Sequence, residues 1–138
     1  MTTQTSRIQL RWVALTGFRT AIQAPSVSLV DSYIGLRLDG ESTLGNQTGV
    51  RLVDGVQDFA PYFYMNTSVV SGNTEHGLEI KGGPEGDGQV TIERNSKIGT
   101  DSTGLLPRGN GGNGVLIEDL PNAEIRIGIL FWLTIRVG

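Results

Sequence analysis

Apolar residues along this chain alternate with polar ones in runs of only four or five positions, as in SVSL at 26–29, QVTI at 89–92 and AEIRI at 123–127. Period-two alternation over so short a run is the mark of a half-buried strand, and no stretch sustains the 3.6-residue period of an amphipathic helix. One run recurs. It appears as Ala21-Ile22-Gln23-Ala24, Gly49-Val50-Arg51-Leu52, Gly77-Leu78-Glu79-Ile80 and Gly114-Val115-Leu116-Ile117, at intervals of 28, 28 and 37 residues. A third set of short apolar runs surrounds SYIG, SVVSG and SKIG.

The segments between the strands repeat as well. IGLRLDGESTLGNQTGVRLVDG, from Ile34, and IGTDSTGLLPRGNGGNGVLIED, from Ile98, share Ile-Gly at the start, Gly six positions on (Gly40, Gly104) and Gly-Asn eleven positions on (Gly45-Asn46, Gly109-Asn110). Three short strands per repeat, set off by Gly, Asn and Ser corners, describe a chain that turns three times and comes back above itself. The expected fold is all-β: a right-handed parallel β-helix of about five short coils with three strands per coil. Residues 1–138 form one domain in this reading, with 1–13 as an N-terminal coil or cap and 129–138 as an apolar C-terminal strand or cap. Ile22, Val50, Leu78 and Val115, beside Ala24, Leu52, Ile80 and Ile117, are the expected inward ladders. Gln23, Arg51, Glu79 and Leu116 face outward, with Arg51 and Glu79 placed to form a cross-strand ion pair.

The segment RGNGGNGVLIED also spells G-x-G-x-x-G at Gly109, Gly111 and Gly114. A dinucleotide loop needs a helix after it, so that the helix N-terminus meets the pyrophosphate. VLIEDLPNAEIRI follows instead, which reads as strand, turn, strand, and the glycines are expected to make a corner.

These segments resemble the repeats of bacterial right-handed parallel β-helix proteins, a surface and adhesin-like group within the pectate-lyase-like superfold. The resemblance rests on IGTDSTGLLPRGNGGNGVLIED and VVSGNTEHGLEIKG, covers roughly residues 14–128, and departs from the pattern at Asp58–Met65, DFAPYFYM. It implies an extracellular, cell-surface or virion-surface protein.

Composition narrows the chemistry. Twenty glycines in 138 residues fit many tight turns, and the absence of cysteine excludes disulfides, thiolate metal sites and a cysteine nucleophile. A net charge of -3 gives no electrostatic reason to expect nucleic acid. The most apolar segment, Ile127–Gly138, is shorter than the roughly 18–20 residues of a membrane span and carries Arg136. The N-terminus does not read as a signal peptide. His76, the single histidine, is expected at a turn, and no metal or cofactor is expected.

Function is the more open question. The leading expectation is a non-enzymatic structural or adhesive module that binds glycan or protein surfaces or assembles with itself; the alternative is a carbohydrate-active lyase-like or hydrolase-like enzyme fragment. Loops 36–48 and 100–113 leave equivalent corners two coils apart, which places them about 10 Å from each other by coil spacing. They bring Arg37, Asp39, Glu41, Asp101, Arg108 and Asn110 forward as binding-surface residues. The tail at 129–135 is apolar on both faces, which marks Phe131, Trp132 and Leu133 as an assembly surface for a homo-oligomer or filament.

Overall fold

The computed structural model describes residues 7–53, 60–82, 87–128 and 135–137. Its short strands follow one another around a triangular coil. The first coil comprises β1 (Arg7–Arg11), β2 (Ala14–Leu15) and β3 (Thr20–Ala24), and the second β4 (Ser26–Val30), β5 (Tyr33–Ile34) and β6 (Thr48–Leu52). Strands β7 (Tyr62–Asn66), β8 (Val69–Val70) and β9 (Leu78–Lys81) form the third, and β10 (Gln89–Ile92), β11 (Lys97–Ile98) and β12 (Val115–Glu118) the fourth. In the fifth, β13 (Glu124–Ile127) precedes β14 (Ile135–Val137). Each side of the triangle is one sheet: β1-β4-β7-β10-β13, then β2-β5-β8-β11, then β3-β6-β9-β12-β14. All strand pairings are parallel, so the described residues form a parallel β-helix of five coils.

The expected ladders are in register. Ile22 pairs with Val50, Val50 with Leu78 and Leu78 with Val115, while Ala24, Leu52, Ile80 and Ile117 run beside them. These side chains share one core with Val27, Leu29, Phe63, Met65, Val90 and Ile92 from the first sheet and Ile34, Val70 and Ile98 from the second. Burying an aliphatic side chain of this size contributes about 1.5–3 kcal/mol. Stacked ladders accumulate that gain without any long helix or disulfide. Outside the core, Arg51 Nε reaches Glu79 Oε2 at 3.0 Å, the ion pair expected from the spacing. Both side chains are about a third exposed, so the pair is worth only tenths of a kcal/mol.

The structure refines two sequence expectations. Of the coil and the cap offered for residues 1–13, the described part is coil: β1 is the first strand of the first coil and pairs along its whole length with β4. The departure from the repeat at 58–65 conceals a full strand: β7 sits between β4 and β10, with Phe63 and Met65 fully buried. Tyr62 and Tyr64 count as apolar in the sequence, so the in-out alternation of this strand is invisible there.

The glycine-rich question is settled by the same wiring. Gly114 leads directly into β12, and no helix occurs among the described residues. A Cβ on Gly111 would lie 2.1 Å from the Thr74 carbonyl oxygen of the coil before it, so glycine is needed there for close stacking of two corners.

Candidate functional site

The corner between the second and third sheets carries both long loops. Each leaves the coil through a left-handed glycine, Gly35 at φ 99° and Gly99 at φ 88°, and each closes with one antiparallel bridge, Leu36 to Thr43 and Thr100 to Pro107. The two loops meet instead of standing about 10 Å apart. The coil between them turns this corner through the much shorter connection 71–77, in which only Ser71 and Gly72 precede Asn73, and the two loops meet across it. Ser102 N donates to Gly40 O at 2.7 Å, Arg108 Nε to Glu41 O at 2.9 Å, and Gly72 N to Arg108 O at 2.8 Å.

Most of the loop residues singled out in the sequence serve this construction. Asp39 is exposed, but its carboxylate accepts the amides of Glu41 and Ser42 at 2.9 and 2.8 Å. The Ser42 hydroxyl and those two amides lower its pKa to about 2. Asp101 is only 2 % exposed and lies inside its own loop rather than on a binding surface. It accepts the Thr103 hydroxyl at 2.7 Å and the amides of Leu105 and Leu106 at 3.1 and 3.2 Å. Burial pushes its carboxyl up, but the Thr103 hydroxyl and the Leu106, Leu105 and Gly104 amides outweigh that and hold it below the usual carboxylate range. Glu41 and Arg108 are joined through the clasp, and Arg37 stays exposed at the loop base. Asn110 belongs to a ladder with Asn73 and Asn46, in which Asn73 Nδ2 donates to Asn110 Oδ1 at 2.9 Å. His76 is half-buried, and its Nδ1 accepts the Asn113 amide at 3.0 Å, which places any single ring proton on Nε2. Phe131, Trp132 and Leu133 lie outside the described residues.

A second surface combines aromatic rings with free hydrogen-bonding groups: the outward face of the first sheet. Its register sets Arg7, Ser26, Tyr62, Gln89 and Glu124 in one row and Gln9, Ser28, Tyr64, Thr91 and Arg126 in the next. Tyr62 and Tyr64 are half-buried and form a ridge, because their neighbours on both sides are shorter. Two furrows result. One runs over β4, with Ser28 between Gln9 and Tyr64 and with Arg11 and Asn66 beyond. The other runs over β10, with Thr91 between Tyr64 and Arg126 and with Glu93 and Arg94 at its end.

The ridge is held from both sides of the sheet. Phe63 and Met65 anchor β7 in the core, and the Arg7 guanidinium lies 4.3 Å from the centre of the Tyr62 ring while its Nε donates to Ser26 Oγ at 3.3 Å. Next along β1 comes Trp12, 78 % exposed and in a left-handed conformation at φ 58°. That conformation is costly for a bulky residue. Asp31 and Thr67 follow it in the corner stack at φ 49° and 48°. Asp31 Oδ2 accepts the Trp12 indole N–H at 2.9 Å, and Asp31 Oδ1 accepts the Thr67 hydroxyl. The Thr67 hydroxyl and the Trp12 indole lower the Asp31 pKa. The indole is thus fixed with its faces open to solvent.

Fixed aromatic faces beside short hydroxyl and amide side chains suit a ligand with an apolar face and a polar rim, which describes a sugar ring. The sequence reading missed this surface, although the Tyr-Phe-Tyr triplet carried it: rings at first and third positions of a strand share a face. No group of three or more His, Asp or Glu residues placed to hold a metal ion occurs among the described residues. Fold and surface together define a parallel β-helix with a tyrosine-ridged face. No family model matches the chain, and neither does any curated protein or solved structure.

Proposed function

We propose that this protein is a non-enzymatic adhesive β-solenoid module that binds glycan chains across the outward face of its first sheet. The Tyr62–Tyr64 ridge between two furrows carries the reading, because rigid rings stack on the apolar faces of sugars while Gln9, Ser28, Asn66, Gln89 and Thr91 meet the hydroxyl rims. The strands that supply these groups are pinned by the core beneath them. Little ordering cost remains to be met on binding.

A carbohydrate-active enzyme is the second reading, favoured by one observation: the β10 furrow gathers Glu93, Arg94 and Arg126 around a single trough. Binding of a soluble neutral β-glucan and of polygalacturonate, measured by calorimetry alongside a reducing-end assay, separates the two. Tyr64→Ala and Trp12→Ala should each weaken glycan binding about tenfold, with no products released. Turnover that Glu93→Gln abolishes would make the enzyme reading the correct one, and failure of both glycans to bind would remove the adhesive one.

A further inference from the structure

The end rungs of the solenoid are built differently from the rungs inside it. At one end Ile8, Leu10, Leu15 and Ala21 are only partly buried, whereas Val27, Leu29 and Ile34 one coil inward are fully covered. At the other end Ala123, Ile125 and Ile127 are partly buried, whereas Val90 and Ile92 are at most 1 % exposed. Strands β1, β2 and β3 are the last members of their sheets on the first side; on the other, β13 and β14 end the first and third sheets, and β11 of the fourth coil ends the second among the described residues. Natural sheet edges are protected by proline, by bulges, by charged side chains such as Arg7, Arg11, Glu124 and Arg126 on these strands, or by charges pointing inward. RIQLR in β1 and EIRI in β13 have no proline, and their inward positions are Ile8, Leu10, Ile125 and Ile127.

We infer that the two ends are complementary, and that a second copy of this chain stacks on the first head to tail. Extending the existing register by one rung sets Ile125 of one protomer on Ile8 of the next and Ile127 on Leu10, which continues both inward ladders. The same step brings Glu124, which Arg126 of its own strand already pairs, beside Arg7, an acidic group next to a basic one. In the third sheet, the backbone of Ile135–Val137 comes into line with Ile22–Ala24. A two-fold contact between two β1 edges centred on Gln9 would instead run antiparallel and set Arg7 of each copy against Arg11 of the other. Charge and strand direction therefore select the head-to-tail arrangement. Such a contact does not close on itself, so it propagates as a filament. Five coils at the inter-strand spacing give an axial repeat of about 24 Å.

Complementary blocked chains test the inference. Ile8→Glu with Leu10→Glu blocks one end, and Ile125→Glu with Ile127→Glu blocks the other. Sedimentation should show each variant monomeric alone and a one-to-one dimer on mixing, while the unaltered chain forms rods visible by electron microscopy. A wild-type chain that remains monomeric at high micromolar concentration overturns the inference; so does a blocked variant that assembles alone, or a mixture that does not pair. Should circular dichroism show that the blocked chains are unfolded, the charge exchange decides. Arg7→Glu should weaken assembly about fivefold and Arg7→Glu with Glu124→Arg should restore it. Absence of that restoration counts against head-to-tail stacking.

Discussion

Asn46 and Asn73, 27 residues apart, are joined by two hydrogen bonds to one oxygen: Asn73 Oδ1 accepts the Asn46 backbone amide at 3.1 Å and its side-chain Nδ2 at 3.0 Å. Asn73 in turn donates from Nδ2 to Asn110 Oδ1 at 2.9 Å, and Asn46 Oδ1 accepts the Phe18 amide at 3.0 Å. The ladder adds side-chain bonds to the backbone pairing that continues through this corner, where Thr74 N donates to Asn46 O and Gly111 N to Asn73 O, each at 2.8 Å.

Position in the ladder sets the cost of losing a rung. Asn73 is buried and bonded on both sides, so Asn73→Ala strands both Asn46 donors, while Asn110 Oδ1 keeps the backbone amide of residue 73. It should destabilise the fold by about 2–4 kcal/mol. Asn110 is half-buried at the ladder's end, and Asn110→Ala should cost about 1 kcal/mol. Urea denaturation of the two variants measures the difference, and equal losses would mean that the ladder is not what holds this corner.

The loop tip should respond to acid through Asp39. Its folded pKa, about 2, lies below the ordinary value of 3.8, so its contribution is present in full above pH 3.8 and is lost as pH falls towards 2. Amide-exchange protection at Ser42, whose N–H the carboxylate accepts, should decline across that window. In Asp39→Asn the same amide should show no such decline. Because the Asp31 and Asp101 carboxyls are also lowered, a global unfolding signal mixes all three, and the Ser42 amide is the readout that isolates Asp39.

The third sheet was legible in the sequence because its outward positions, Gln23, Arg51 and Glu79, are polar and its inward ones aliphatic, and because a glycine stands just ahead of Val50, Leu78 and Val115. The first sheet was harder to read. In β7 both faces carry rings, so the alternation vanished, and with it the tyrosine ridge. Contact between the loops was hidden for another reason. Coil spacing gives the distance between corners, while the lean of a loop depends on how short the intervening connection is, here the seven residues 71–77. Recurrence along the chain thus reports on backbone stacking, and surface groups that do not recur must be read from the fold.

A column of serines before the second sheet supplies a last test. Ser32 Oγ accepts the Val13 amide at 3.4 Å, and Ser68 Oγ accepts the Ser32 amide at 3.1 Å, each hydroxyl donating to a carbonyl two residues back. Ser96 is the next serine of the column and is 1 % exposed, yet its hydroxyl has no hydrogen-bond partner among the described residues. Equivalent substitutions should therefore diverge. Ser68→Ala leaves the buried Ser32 amide without an acceptor and should cost about 1–3 kcal/mol. Ser96→Ala removes a hydroxyl that was desolvated without return, and should leave stability unchanged or raise it by up to about 1 kcal/mol. Chemical denaturation of both variants gives the comparison. A loss at Ser96 as large as that at Ser68 would show that the Ser96 hydroxyl is engaged in the folded chain.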